Sequence, residues 1–554
     1  MPRNFLQKSI SILLRRQTNI LSAAVIIMAT VVFSQILGLV RQRLLVSIFG
    51  PTDTLGVYFA SSKLPDFLFQ LIIAGALSSA FIPVFSDFLT KGKDEEGHKM
   101  ASTLLVFGII LFLFLSLILF IFAPLFLNLM NLGSGFSTDQ MTLMANLMRV
   151  LIFAQLLFIV GTFFSAVLQS YNHFFIPGLA AALYNLGIII GILTLSPFIG
   201  IFGPAYGAIL GAFIFIIVQL PTVNKLGFSF KPVMSFKIPG VLEVVKLMWP
   251  RTISIAVFQI GSIITVTLVS FLESSGRNYV IFDYAQTLAF APIVLFGQSI
   301  AQATFPVLAR EREKLEEFKI TFITSFNQML YLVLPISVLF IVLRIPIVRL
   351  VFGASRFDWP ATLLTGKTLA FFSISLFAQA LIYLVSRGFY ALHDTKTPLI
   401  IGGVTTLIMI VLGFLFIISY KAGVESIAIA YSIASILNLL VLMIFLDRKT
   451  GGFKKIELLF SSFKIITASF FTGFALYIPM KLLDELVFNT KKTIDLIFLT
   501  GISSIAGLTL YLFLTWFLNV KEATTFILLF KKIGNWREIL GKSDEVIDIT
   551  RIKP

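Results

Sequence analysis

Long apolar runs recur along the whole chain, separated by short polar stretches. A run of about eighteen apolar residues is long enough to cross the hydrocarbon core of a bilayer as a helix. Such spans are predicted near 20–48, 56–88, 101–131, 141–170, 174–197, 201–223, 239–272, 278–309, 317–344, 361–391, 397–419, 424–446, 459–482 and 493–519, about fourteen in all. A membrane β-barrel would instead show short segments of alternating polarity. The pattern predicts an all-α polytopic membrane protein.

The polar breaks carry an orientation signal. Four alternate loops, "KGKDEEGHK" (91–99), "NKLGFSFKPVMSFK" (224–237), "REREKLEEFK" (310–319) and "DRKTGGFKK" (447–455), are rich in Lys and Arg. The loops "NLGSGFSTDQ" (131–140) and "SPFIGIFGP" (196–204) have neither. Positive loops stay on the cytoplasmic side, which places both termini there. Two stretches on the predicted outer side, 344–356 and 481–492, are basic exceptions. Residues 1–19 read as a retained cytoplasmic arm, because the apolar run after them is too long for a signal-peptide core. Residues 521–554 open as an apolar and basic stretch that fits a surface-lying amphipathic tail.

The pattern also repeats. "SSAFIPVFSDF" (78–88) answers to "AQATFPVLARE" (301–311), with an offset of 223 between Pro83 and Pro306. "LQSYNHFFIP" (168–177) answers to "FYALHDTKTP" (389–398), with an offset of 221 between Pro177 and Pro398. Two six-helix halves of parallel topology follow, an N-lobe at 20–226 and a C-lobe at 227–450, with spans 13 and 14 (451–520) left over. Parallel repeats of this kind typify secondary transporters.

Composition narrows the chemistry. Only 13% of residues are charged and 58% are hydrophobic, against about 25% charged in soluble domains. The net charge of +16 sits largely in loops and arms and forms no soluble basic domain, so nucleic acid is not an expected partner. Cysteine is absent, which removes disulfides and thiolate chemistry. His98, His173 and His393 fall in loop-like stretches without metal-site spacing. No nucleophile–base or metal constellation appears, so a transporter without cofactor or metal is expected rather than an enzyme.

Within this frame "GLVRQRLLVSIFG" (38–50), "YFASSKLPDFLFQLIIAGALSSAFIPVFSD" (58–87), "SAVLQSYNHFFIPGLAAALYNLGIIIG" (165–191) and "SRGFYALHDTKTPL" (386–399) resemble the lipid II flippases of the MurJ/MviN family. The resemblance spans roughly residues 20–450. It implies fourteen helices, two lobes around a central cavity, and a lipid-facing groove made by helices 13 and 14. It also implies a superfamily shared with MATE exporters and polysaccharide flippases. The implied activity is carriage of an undecaprenyl-pyrophosphate-linked peptidoglycan precursor from the inner to the outer leaflet of the bacterial cell membrane. Several family charges are replaced here: Gln35 and Gln42 on span 1, Phe69, Gln70 and Ala74 on span 2, and Gln286-Thr287 on span 8. A flippase for another polyprenyl-linked oligosaccharide stays open on that account. A MATE-like antiporter is disfavoured, since Asp66 and Asp283 are the only good intramembrane carboxylates for cation exchange.

Ionisable residues inside spans are costly and mark candidate sites. On span 1, Ser34, Gly38 and Arg41 fall on one helical stripe, with Gln35 and Gln42 beside it. Arg43 lies about 200° round from Arg41, among Ile36, Leu39 and Val40. Arg41 is therefore expected to face the bundle and meet an anionic headgroup, and Arg43 to anchor the helix in lipid. Span 2 supplies Lys63 and Asp66, which fit either a headgroup contact or a mutual ion pair. Arg251 on span 7 and Gln286 on span 8 complete the substrate-binding candidates. Arg387 and Asp394, at the cytoplasmic end of span 10, read as a gate or a helix-end pair. Coupling to membrane potential or a monovalent ion, a monomeric state and a lipid-linked substrate complete the expectations.

Overall fold

A computed structural model describes residues 20–523 apart from 75–79, 232, 234, 236, 354–355, 454 and 491. The side chains of 20–28, 74, 249–251, 253–254, 258 and 457 also lie outside the described set, as do the expected arm at 1–19 and the tail from 524 onward. The described chain forms two compact units, one running to Val280 and including Arg356, the other covering Ile281–Gly353 and the residues from Phe357.

The first unit holds α1 (Ile20–Phe49), α2 (Asp53–Phe69), α3 (Ile82–Thr90), α4 (Asp94–Ile121), α5 (Ala123–Met130), α6 (Thr138–Ser170), α7 (Phe175–Ile190), α8 (Ser196–Ile199), α9 (Phe202–Lys225) and α10 (Val241–Val269). The boundary between units falls within α11 (Ser275–Pro292). The second unit continues with α12 (Ser299–Arg310), α13 (Leu315–Val342), α14 (Arg344–Phe352), α15 (Trp359–Ile374), α16 (Leu376–Ala391), α17 (Lys396–Phe414), α18 (Glu425–Lys449), α19 (Lys455–Leu486) and α20 (Thr493–Phe517). The described residues contain no strand.

Among the described residues, eleven helices are long and apolar enough to cross a membrane, or up to 12 with the bent pair α15–α16 taken as one span. The remaining two expected spans, 56–88 and 239–272, fall on stretches that are only partly described. Of the fourteen expected spans, eleven or twelve are found among the described residues. Span 3 ends earlier than its apolar run, at Ile121, because Pro124 opens a separate short helix. Span 10 is bent by 42° at Ser375. His98, expected in a loop, stands in the second turn of α4, since Asp94, Glu95 and Glu96 complement the positive end of the helix and start it before the apolar run. The basic stretch at 344–356 begins as α14, where Arg349 lies 5.7 Å from the Trp359 ring.

The internal repeat reaches down to irregularities of the backbone. A π-helical turn at Gln70–Ala74 recurs at Ile293–Gln298, and one at Gly191–Leu195 recurs at Leu415–Ser419, offsets of 223 and 224. Left-handed residues recur in the same register: Gly50 with Ser274, Asn172 with His393, Gly200 with Lys421, and Gly227 with Gly451. The N-caps of α6 and α15, Ser137 and Asp358, also stand 221 apart, and both accept a hydrogen bond from the backbone N–H three residues on. Two pairs of π-turns and four pairs of left-handed residues falling in register by chance is far less plausible than two copies of one six-helix plan. π-Turns are also commonly kept where a helix must be re-aimed near a site.

The outward surface is strongly apolar: Phe114, Leu117 and Ile121 on α4 are more than half exposed, as are Phe463 and Phe470 on α19. Exposure on this scale is expected only where lipid replaces water. Inside the first unit, α7 and α9 meet through glycines. A Cβ at Gly187 would lie 2.2 Å from Gly211 Cα, and one at Gly191 would lie 2.4 Å from Gly207 Cα. Small residues four apart let membrane helices approach this closely, where packing rather than water drives association.

Candidate functional site

The two arginines of α1 separate onto different faces. Arg43 continues the exposed apolar stripe of Val32, Ile36 and Val40, and is itself exposed. Arg41 is half-buried, one turn beyond Gly38 and two beyond Ser34. That stripe faces α7: Asn185 Nδ2 lies 3.3 Å from the Ser34 carbonyl and 3.4 Å from its hydroxyl oxygen. A Cβ added at Gly38 would touch Asn185 Oδ1 at 4.0 Å. Arg41 and Arg43, on different faces of the helix, thus differ in burial. Of the two glutamines beside the stripe, Gln42 is buried and Gln35 is exposed.

Around Arg41 the first unit gathers a polar cluster in an apolar interior. The buried hydroxyls of Tyr58 on α2 and Tyr184 on α7 both lie within the electrostatic reach of Arg41 and of Asp66. Asp66 Oδ1 accepts a 2.5 Å hydrogen bond from Gln155 Nε2 on α6. A charge-assisted bond of this kind is about twice as strong as a neutral one, and it fixes a half-buried carboxylate where desolvation is costly. Lys63, one turn before Asp66, places its ammonium 5.7 Å from the centre of the Tyr279 ring, within cation–π range. One contact of Lys63 thus leads to α11 and one of Asp66 to α6.

Arg251 lies on α10, and its side chain is outside the described residues. Its neighbour Thr252 donates to the Leu71 carbonyl at 3.4 Å, on the π-turn that follows α2. Gln286, half-buried on α11, belongs to the second unit with Arg387 and Asp394. These last two do not pair with one another. Arg387 stacks its guanidinium 5.2 Å above the Phe305 ring. Asp394 caps α17, accepting from Thr397 N at 3.0 Å and Thr397 Oγ1 at 2.8 Å, and holds Lys449 Nζ of α18 at 2.7 Å. A helix-end pair between Arg387 and Asp394 is therefore replaced by two separate contacts, because the turn at His393 swings Asp394 toward the next helix.

Burial alone would raise the Asp394 carboxyl, but the bonds from Lys449 and Thr397 outweigh it and hold it at about 2, below the ordinary 3.8. A carboxyl lowered on folding stabilises the fold above pH 3.8 and loses that contribution as pH falls toward 2. Asp394→Asn should lower the melting temperature of the detergent-solubilised protein at pH 7, with the gap to wild type closing between pH 4 and 2. A gap that stays constant over that range would show that the charge of Asp394 is not what stabilises this turn.

Reading spans singly does not reveal Tyr58, Gln155, Tyr184 and Asn185 as members of the cluster. The available signal was a lone amide in each of two apolar runs, "LIFAQLLFIV" and "AALYNLGIII". An amide so placed calls for an interhelical partner.

Comparison with known proteins agrees with this architecture. A family profile described as "Lipid II flippase MurJ" matches residues 45–496. A protein of Buchnera aphidicola (subspecies Schizaphis graminum) described as a probable lipid II flippase MurJ is 29% identical over 83% of this chain and 90% of its own. A solved structure of the lipid II flippase MurJ in an inward closed conformation superposes with a TM-score of 0.72 at 24% identity, covering 89% of this chain and 98% of that one. An inward-facing multidrug resistance MATE family transporter of the MOP superfamily superposes with a TM-score of 0.62 at 16% identity, covering 77% and 98%. With its repeat, its apolar surface and a profile match across most of its length, the chain belongs to the MurJ family of multi-pass membrane proteins.

Proposed function

We propose that this protein flips lipid II, the undecaprenyl-pyrophosphate-linked peptidoglycan precursor, from the inner to the outer leaflet of the bacterial cell membrane. The observation that carries the reading is the family match across residues 45–496. Translocation makes and breaks no bond, so the protein acts as a transporter and not an enzyme. Its task is to offer the headgroup a polar path while the polyprenyl tail remains in lipid. Arg41 is the first candidate for the pyrophosphate, since a guanidinium can grip two phosphate oxygens at once. Asn185, Tyr184 and Gln155 hold the polar wall around it. Lys63 and Gln286 are further headgroup contacts, with Arg251 a third source of positive charge. Transport proceeds by alternating access of the two repeat halves, in a monomer with both termini cytoplasmic, driven by membrane potential or a monovalent counter-ion.

The test is complementation. Expressed at normal level in a strain whose own lipid II flippase is conditionally depleted, the protein should restore growth and cell shape. Failure to rescue, with the protein present in the membrane, would overturn the lipid II reading and favour another polyprenyl-linked oligosaccharide. Gln35 and Gln286, neutral where the family pattern carries charge, are the features that point to that alternative.

A further inference from the structure

A cavity of about 210 Å³ lies at the end of the α19–α20 pair, lined by Phe460, Ser461, Lys464, Asn519, Val520 and Lys521. It belongs wholly to the second unit, and none of the candidate transport residues lines it. Lys464 is half-buried, and among the described residues its ammonium makes no ion pair; it rests 4.8 Å above the Phe460 ring. The left-handed Asn519 turns the chain back over the end of α20, which sets Lys521 into the lining opposite α19. Glu522, next to Lys521, is buried, and burial drives its carboxyl up against bonds from its own backbone N–H and Asn327 and the charges of Lys521 and Lys464. Lys464 and Lys521 outnumber this one carboxyl, so the site is net positive even with Glu522 ionised. The rim is apolar: Phe460, Phe463, Trp516 and Phe517 are each more than 60% exposed.

We propose that this cavity binds the phosphate of an anionic membrane phospholipid, whose acyl chains lie along the aromatic rim. The cations and the Ser461 hydroxyl suit a phosphate group. The aromatic rim distinguishes an amphiphile from free phosphate, since free phosphate would gain nothing from four exposed rings, whereas aromatic side chains at the headgroup level are where lipid meets protein.

The delipidated full-length protein in detergent micelles, titrated with phosphatidylglycerol or phosphatidylcholine and read by native mass spectrometry, tests this. The wild type should bind phosphatidylglycerol more tightly than phosphatidylcholine. Lys464→Gln should weaken phosphatidylglycerol about fivefold, and the pair with Lys521→Gln about thirtyfold, on the scale of one lysine at an anionic surface. Phosphatidylcholine, whose choline cation offsets its phosphate, should weaken much less. Lys464→Arg, which keeps the charge, should keep the preference and guards against misfolding as the cause. An unchanged preference in the double variant, or no preference in the wild type, would overturn the site. Displacement of the lipid by millimolar inorganic phosphate would overturn the lipid as its occupant and leave a free-phosphate site. Neither outcome bears on lipid II flipping, which complementation measures separately.

Discussion

Arg41→Ala should abolish growth rescue in the depleted strain, whereas Arg43→Ala should leave rescue close to wild type. The two residues sit two positions apart on one helix, so they share membrane depth, synthesis and local propensity. They differ in what they face. Arg43 lies on the exposed stripe with Val32, Ile36 and Val40, where a long cationic side chain can snorkel and its loss costs little. Arg41 shares a half-buried face with Ser34 and Gly38, against Asn185, and its charge acts on the hydroxyls of Tyr58 and Tyr184. Hydrogen bonds to charged groups contribute about 1.5–3 kcal/mol each, so losing a two-pronged grip on pyrophosphate would reduce headgroup binding by two orders of magnitude or more. Arg41→Lys should rescue partially, since an ammonium keeps the charge and loses the fork. Membrane levels of each variant, measured by immunoblot, separate lost transport from lost protein. Equal loss in both alanine variants at equal levels would remove the face assignment, and full rescue by Arg41→Ala would remove Arg41 from the headgroup path.

What could be read from the sequence here is what periodicity encodes. Helix geometry puts residues 34, 38 and 41 on one stripe and 43 on another, and no tertiary information is needed for that. The duplicate plan was legible from two proline-bearing segments. The structure extends it to π-turns and left-handed residues, which short segment matches cannot show: positions 50 and 274 are Gly and Ser, and 172 and 393 are Asn and His. Identity has drifted there while backbone geometry has not. Partners were the hidden part. Gln155 meets Asp66 across a separation of 89 residues, and Asn185 meets Ser34 across 151. Only the folded bundle brings such pairs together. The same limit explains why Arg387 and Asp394, close in sequence, find different partners. Chain proximity suggests a pair, but the left-handed turn at His393 sends the carboxylate to Lys449.

The bundle that creates those long-range contacts depends on close backbone approach, and that dependence yields the largest expected effect on stability. Gly187→Ala or Gly207→Ala should strongly reduce the yield of folded protein and its melting temperature. Gly501→Ala and Gly403→Ala should be neutral or slightly stabilising. All four glycines are helical, so the intrinsic preference for alanine, up to about 1 kcal/mol, favours every substitution alike. Only the surroundings differ. A Cβ at Gly187 would sit 2.2 Å from Gly211 Cα, and one at Gly207 would lie 3.0 Å from both Gly191 Cα and the Ile188 backbone. The opposing atoms are backbone, which cannot rotate aside, so α7 and α9 must move apart. Overpacking of this kind typically costs 1–3 kcal/mol and at times more, and it outweighs the propensity gain. At Gly403 and Gly501 nothing lies within 4 Å, so the propensity gain stands alone. The consequence reaches the candidate site, because the carbonyl of Tyr184 lies 2.4 Å from where a Gly211 Cβ would be. Gly211→Ala should therefore push Tyr184 and Asn185 relative to Arg41, and impair rescue even in the fraction of protein that folds. Thermal melting of the purified variants by intrinsic fluorescence, paired with the complementation assay, separates the two effects. If Gly187→Ala melts with Gly501→Ala, the α7–α9 contact is not as close as the structure places it.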